Sequence, residues 1–332
     1  MERAPVGALF LWAFVKRLSK QQVSENLVKT GAKLIMDGGQ INPPAGKLCV
    51  MNSLAALTLT PPDAPPPRAI GALRLTVGCD PDRSGRSHIR TLRQSGALKA
   101  LFPRPSGSAL QAVFLNTAGG LTGGDRMQIE VGVEPGAHLI LSSQAAERGY
   151  RALGQSRAMV KLSLTAAARG RIDWLPQETI LFDGAAMSRS LQADLARDAC
   201  LLLVEPLIFG RTAMGEKLRT GLFHDSWRVR QAGELVFADA LRLHGDITAS
   251  LTRAGVAGGA GAMASVLYVG QDAAAHLAPL RQLLPDTAGC SLIRDGVLFA
   301  RFLAGDGFDL RRMLIPAVEY LHAAPLPKVW RL

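Results

Sequence analysis

Aromatic side chains make up only 5% of this 332-residue chain, and cysteine occurs four times, at Cys49, Cys79, Cys200 and Cys290. No two cysteines stand at Cys-x-x-Cys spacing, which excludes a zinc ribbon or a dithiol redox centre built on that pattern. Buried or idle thiols in a reducing compartment are the simpler reading. Long hydrophobic runs are also missing. The stretch Ala8 to Val15 falls well short of the about 20 residues a bilayer span needs. It has only Arg3 before it and no small-residue cleavage site after it, so neither a signal peptide nor an anchor is expected. A soluble, cytosolic protein is. There is no Gly-x-Ser-x-Gly elbow and no His-Glu-x-x-His pair. The six histidines (His88, His138, His224, His244, His276 and His322) stand apart in the sequence and outline no metal cage.

What the chain has is glycine (34), proline (19) and enough hydrophobic residues (48%) to bury a full core. That balance suits a fold with many turns rather than a helical bundle. A net charge of +11 favours an acidic partner: a nucleic acid, an anionic membrane or an acidic protein face. The body lacks the interleaved aromatics on which bases stack, which counts against nucleic acid. Residues 1–67 differ from the rest. They carry Lys16, Arg17, Lys20, Lys29 and Lys33 in a stretch that could be helical, then a turn-rich segment, then Pro61-Pro62-Asp63-Ala64-Pro65-Pro66-Pro67. Such a proline cluster supplies few ladder donors and fits an extended linker. A basic arm and a translation start set too early, with Met51 as the later start, are both open readings.

From Leu73 onward the period is that of strands. Met127 to Glu134 alternates apolar and polar residues, Pro135-Gly136 turns, and His138 to Ser142 returns. Val160 to Thr165 alternates likewise, and Arg169-Gly170 leads into Ile172 to Leu175. Further strands are expected at Ile180–Phe182, Ser190–Leu195, Cys200–Val204, Ser226–Arg230 and Leu235–Phe237. Near the end, Leu277, Leu280 and Leu284 sit at helical spacing before Pro285. A hairpin turns at Arg294-Asp295-Gly296. A last helix from Phe308 towards His322 is expected to be interrupted by Pro316.

Two segments carry possible chemistry. In Asn116-Thr117-Ala118-Gly119-Gly120-Leu121-Thr122-Gly123-Gly124-Asp125, no Gly-Lys-Ser/Thr follows and no helix opens, so neither a phosphate loop nor a dinucleotide fingerprint fits. A tight loop between strands does, with Asp125 either capping backbone N–H groups or offering a hard metal ligand. In Trp174 to Ala185, Glu178 and Asp183 flank a short apolar strand. They read either as paired carboxylates of a glycosidase type or as solvated strand ends.

These same blocks resemble a known family. Gly119-Gly120-Leu121-Thr122-Gly123-Gly124-Asp125-Arg126 is similar to the Gly-Gly-x-x-Gly-Gly-Asp signature of the UreD (UreH) urease accessory proteins. Pro135-Gly136-Ala137-His138, Tyr150-Arg151, Leu175-Pro176-Gln177-Glu178-Thr179-Ile180 and Phe209-Gly210-Arg211 follow in the family's order. The likeness covers about residues 70–325, with Ala118 where proline is common and Glu147-Arg148 where Thr-Lys is common. It implies a mainly β body, β-helix-like or of stacked strands, with a small C-terminal helical portion over residues 68–332. It implies a non-enzymatic scaffold that binds UreF and UreG and docks on apo-urease, with Ni²⁺ in transit and no tightly bound cofactor. On that likeness, Asp125 and Glu178 would line or support the transit path. Gly119, Gly120, Gly123, Gly124, Tyr150, Arg151, Asp183 and Arg211 would shape interfaces or the fold.

Overall fold

The computed structural model describes residues 67–80, 85–104, 107–211 and 214–331, with the backbone of 35–37 and 40–42. The basic piece around Lys16 to Lys33 and the proline cluster up to Pro66 lie outside the described residues. The chain divides into Met1–Pro66 and Pro67–Leu332. In the first unit, β1 (Ile35–Asp37) and β2 (Gln40–Asn42) pair antiparallel.

The second unit opens with β3 (Ile70–Cys79) and β4 (Ser87–Gly96), an antiparallel pair, then β5 (Leu98–Leu101) and β6 (Leu110–Asn116). From there strands alternate between two sheets: β7 (Arg126–Val133), β8 (His138–Ser143), β9 (Glu147–Gly149), β10 (Ala158–Ala166), β11 (Arg171–Trp174), β12 (Thr179–Leu181), β13 (Ala186–Leu195), β14 (Cys200–Phe209) and β15 (Leu222–Gln231). The first sheet runs β15-β13-β10-β7-β3 in parallel; the second runs β14-β11-β8-β6 in parallel. Each coil therefore lays one strand on each face, the arrangement of a β-solenoid. Antiparallel strands finish it: β16 (Glu234–His244) on the first sheet, then β17 (Ala262–Val269), β18 (Ala288–Arg294) and β19 (Val297–Ala304) on the second. A short α1 (Ile247–Leu251) precedes β17, α2 (Ala273–Leu283) precedes β18, and α3 (Gly307–His322) follows β19. The fold is mainly β with a small C-terminal helical portion, as the resemblance implies.

Stacking in register makes ladders of like residues between the sheets. Leu73, Ile129, Leu162, Leu191 and Trp227 are aligned from coil to coil, and Leu75, Val131, Leu164, Ala193 and Val229 form the next row. All ten are buried, so the period-2 alternation read in β7 and β10 is the inward face of a continuous core. The second sheet is covered on both sides. Its outer face meets α2 and α3 through Leu280, Leu310, Leu314, Val318 and Leu321. Hence β14 and β17 are apolar almost throughout.

Pro316 does not interrupt α3, contrary to the sequence expectation. It lies on the exposed face, where the carbonyl its missing N–H leaves unpaired can turn to water. Asp306 caps the helix start by accepting from Asp309 N at 2.9 Å, and Ala323 ends it in the left-handed region.

Candidate functional site: a charged seam between the sheets

Most of the space between the sheets is filled with aliphatic side chains, and one band is not. In β13 the inward positions run Met187, Arg189, Leu191, Ala193, Leu195; in β15 they run Phe223, Asp225, Trp227, Val229. In β14 Glu205 interrupts Leu201, Leu203, Leu207 and Phe209. Register places Arg189 beside Asp225, and Glu205 beside Ser265, which in turn neighbours Arg301. A row of charge thus crosses the core.

Its geometry is closed. The Arg189 guanidinium donates from Nη1 to Glu205 Oε2 (2.7 Å) and Thr179 Oγ1 (3.0 Å), and from Nη2 to Asp225 Oδ2. The Trp174 indole N–H donates to Glu205 Oε1 at 2.7 Å, and Trp227 to Asp225 Oδ2 at 3.3 Å. Burial raises the Glu205 carboxyl above its ordinary range, with Arg189 pulling the other way. Burial opposes the charge on Arg189 as well, but the two carboxylates hold its guanidinium above its usual value. Arg301 pairs with Asp239 at 2.6 Å a step further along.

A cavity of ≈240 Å³ lies on one side of this row and a smaller one of ≈20 Å³ on the other. Arg189, Glu205, Asp225 and Trp227 line both, so they form the partition. The larger cavity exists because the second sheet is split there. β8 gives way to β9 across residues 144–146, and β11 to β12 across Leu175–Glu178, where Pro176 has no N–H for a ladder. β14 runs on unbroken, pairing with β11 by its first half and β12 by its second, which leaves Glu205 opposite the gap. Gln177 lines the cavity, and its side-chain nitrogen is buried without a partner. Glu147 lines it too, its carboxylate accepting from Asn116 Nδ2 at 3.1 and 3.2 Å. Burial pushes the Glu147 carboxyl up to about 7 against that hydrogen bonding. None of Arg189, Glu205, Asp225 or Glu147 stands among the residues the sequence singled out for chemistry.

Of the expected site residues, Gly119 and Gly120 border this cavity and the others stand outside its lining. A Cβ on Gly120 would stand 2.3 Å from the Tyr150 ring. Gly123 lies against Ser156, where a Cβ would meet its carbonyl at 2.3 Å, and Gly124 has φ +95°. Asp125 is buried and braces the loop: Oδ2 accepts from Thr122 N and Oδ1 from Ala69 N, both at 2.8 Å. Tyr150 donates to Gly119 O (3.2 Å) and meets Phe182 edge-on, while Arg211 lies 4.4 Å over the same Phe182 ring and grips Glu216. Arg151 pairs with Asp183 at 2.5 Å, and Asp183 also accepts from Thr220 N. Glu178 pairs with Arg311 of α3 at 2.6 Å. The glycine loop, Tyr150-Arg151, Asp183 and Arg211, distant in sequence, meet at one corner, while Pro135 to His138 lies at the other end of β7. Glu178 and Asp183 answer to different arginines and neither lines the cavity.

Two of the histidines are not isolated. His138 Nε2 and His322 Nδ1 both bond Asp173 Oδ2, at 2.9 and 2.8 Å, and Arg171 donates to Oδ1 at 2.9 Å. Burial works against the Asp173 carboxylate, yet these partners hold it well below the usual range. Among the described residues no group of three or more His, Cys, Asp or Glu is arranged to hold a metal ion. Nor is any described helix long and apolar enough to cross a membrane.

Comparison with known proteins places these features in a family. A profile of the UreD urease accessory protein matches residues 69–331. The urease accessory protein UreD of Ruegeria pomeroyi is 46% identical over 244 residues, covering 74% of this chain and 95% of that protein. Proteins of the same name from Rhizobium leguminosarum bv. viciae (46% over 249 residues, 75% and 91%) and Mesorhizobium japonicum (43% over 286 residues, 85% and 100%) agree. The seam and the glycine corner therefore belong to a member of the UreD urease accessory protein family.

Proposed function

We propose that this chain is a cytoplasmic, non-catalytic scaffold for urease maturation, and that Ni²⁺ passes through the space between its sheets on the way to apo-urease. UreF, UreG and the urease subunits are the partners this reading requires. The observation that carries it is the row of oxygen donors inside an otherwise apolar core, with cavities on both sides. A conduit must bind its ion weakly enough to release it. Glu205 and Asp225 meet at the Arg189 guanidinium, Glu147 stands apart from them on the wall of the larger cavity, and carboxylates suit a hydrated divalent ion. Asp125 supports the path by bracing the glycine loop at its mouth, and Glu178 by tying the broken second sheet to α3.

The test is nickel loading of purified apo-urease in the assembled complex. Glu147→Gln, Asp125→Ala and Glu178→Ala should each lower the nickel incorporated severalfold while the complex still co-purifies. Full loading by all three sinks the reading.

A further inference from the structure

We infer that the larger cavity between the sheets is a binding site for a small uncharged aromatic carbonyl compound, an amide or a ketone, whose oxygen accepts from the side-chain nitrogen of Gln177. The inference goes beyond the transit reading and stands whether or not an ion passes.

Gln177 is only 7% exposed and lines the cavity. Its Oε1 accepts from Arg311 Nη1 at 2.8 Å, and because arginine only donates, that contact fixes which end of the amide is the oxygen. Nε2 is then the end left buried without a partner. A buried N–H is costly until an acceptor meets it, so an oxygen delivered here is favoured. Burial keeps the Glu147 carboxyl protonated up to about 7, which makes it a second donor on the same lining.

The rest of the lining sets the body and the charge of the ligand. Met127, Ile129 and Leu162 line it from the first sheet, and Phe114 and Trp174 from the second, their rings stacked 5.2 Å apart. Such walls suit a flat ring, and ≈240 Å³ exceeds the about 150 Å³ that holds a benzene molecule. Anions do not suit it. Three carboxyl groups share the lining with two arginines, and Arg189 is already engaged by Glu205 and Asp225. An ammonium brings donors where Gln177 needs an acceptor. Entry is past Gln144 and Ala145, which line the cavity and are exposed.

Isothermal titration of the purified full chain at about pH 6 with probes of one shape, benzamide, benzoate and benzylamine, tests this. Benzamide should bind with a Kd at or below about 1 mM, and the two charged probes at least about tenfold more weakly. Gln177→Glu keeps an oxygen for Arg311 but turns the free donor into an acceptor, so benzamide binding should weaken at least about tenfold. If that variant does not fold, Gln177→Met decides. It ends in no N–H donor, and benzamide binding should weaken at least about fivefold. Absence of saturable benzamide binding overturns the inference. So does benzoate binding as tightly as benzamide, or a folded Gln177 variant that binds benzamide as well as the native chain.

Discussion

Glu147 shows how one side chain ties the cavity to pH. Its carboxyl sits near 7 because burial disfavours the anion, against an ordinary value of 4.5. Between those two values the folded chain holds a proton that the unfolded chain has lost. The contribution to stability is thus complete below about 4.5 and disappears as pH rises through about 7. At pH 8 the buried anion costs about 3 kcal/mol, because each tenfold change in proton affinity is worth about 1.4 kcal/mol. Glu147→Gln keeps an oxygen for Asn116 and has no charge to bury. It should match the native protein's melting temperature near pH 4 and exceed it by several degrees at pH 8. Equal melting temperatures at pH 8 would mean the carboxylate is well solvated. The signal for such residues was present in the sequence but fell at strand ends. Strands read as Ser190–Leu195, Cys200–Val204 and Ser226–Arg230 each stop one residue short of Arg189, Glu205 and Asp225. A charge in the inward phase looks like an end to the alternation; here the strand continues through it. Glu147 lay in the loop block that departs from the family pattern, and only the fold shows what covers it.

At the level of elements, two devices shape the second sheet. One is the broken second sheet. Leu175-Pro176-Gln177-Glu178 was legible as a block, but its role as a gap beside an unbroken β14 depends on which strands pair, and that is non-local. The other is the attachment of α3. Asp173 on β11 gathers His138 from β8 and His322 from α3, and Arg171 donates onward to the carbonyls of Leu321 and His322. Spacing of 35 and 149 residues between the partners put this cluster beyond any local reading. Asp173→Asn takes away the charge that three donors share and leaves the half-buried Arg171 with backbone carbonyls but no carboxylate. The loss should be about 3–5 kcal/mol, the usual cost of breaking one side of a buried pair. Because the Asp173 carboxyl is held low, its contribution is present above the ordinary carboxylate range and fades as pH falls towards the depressed value. Chemical denaturation at pH 7 should show the full deficit in the variant. At pH 2 the difference should shrink, and a deficit that is the same at both pH values would assign it to packing alone.

For the whole molecule the question is what the positive charge does. The first 66 residues hold seven Lys or Arg and four Asp or Glu, so most of the +11 belongs to the β body and not to the leader. An antiparallel edge of the first sheet carries part of it: β4 is largely exposed and bears Arg93, while Arg90 is offset by Asp80 and Glu134. Charge on an edge strand also guards its open backbone against pairing with another copy. A body of this sign is steered towards acidic protein faces, and steering acts through the association rate. Association with the proposed partners should therefore slow by about tenfold or more between 0.05 and 0.5 M NaCl, with a much smaller change in dissociation rate. Surface plasmon resonance on the full chain and on a chain lacking residues 1–66 would separate the contributions. If the body supplies the field, the truncated chain keeps most of the salt dependence. A salt response that vanishes with the leader would place the docking charge there instead, and the solenoid would then meet its partners through shape and apolar contact.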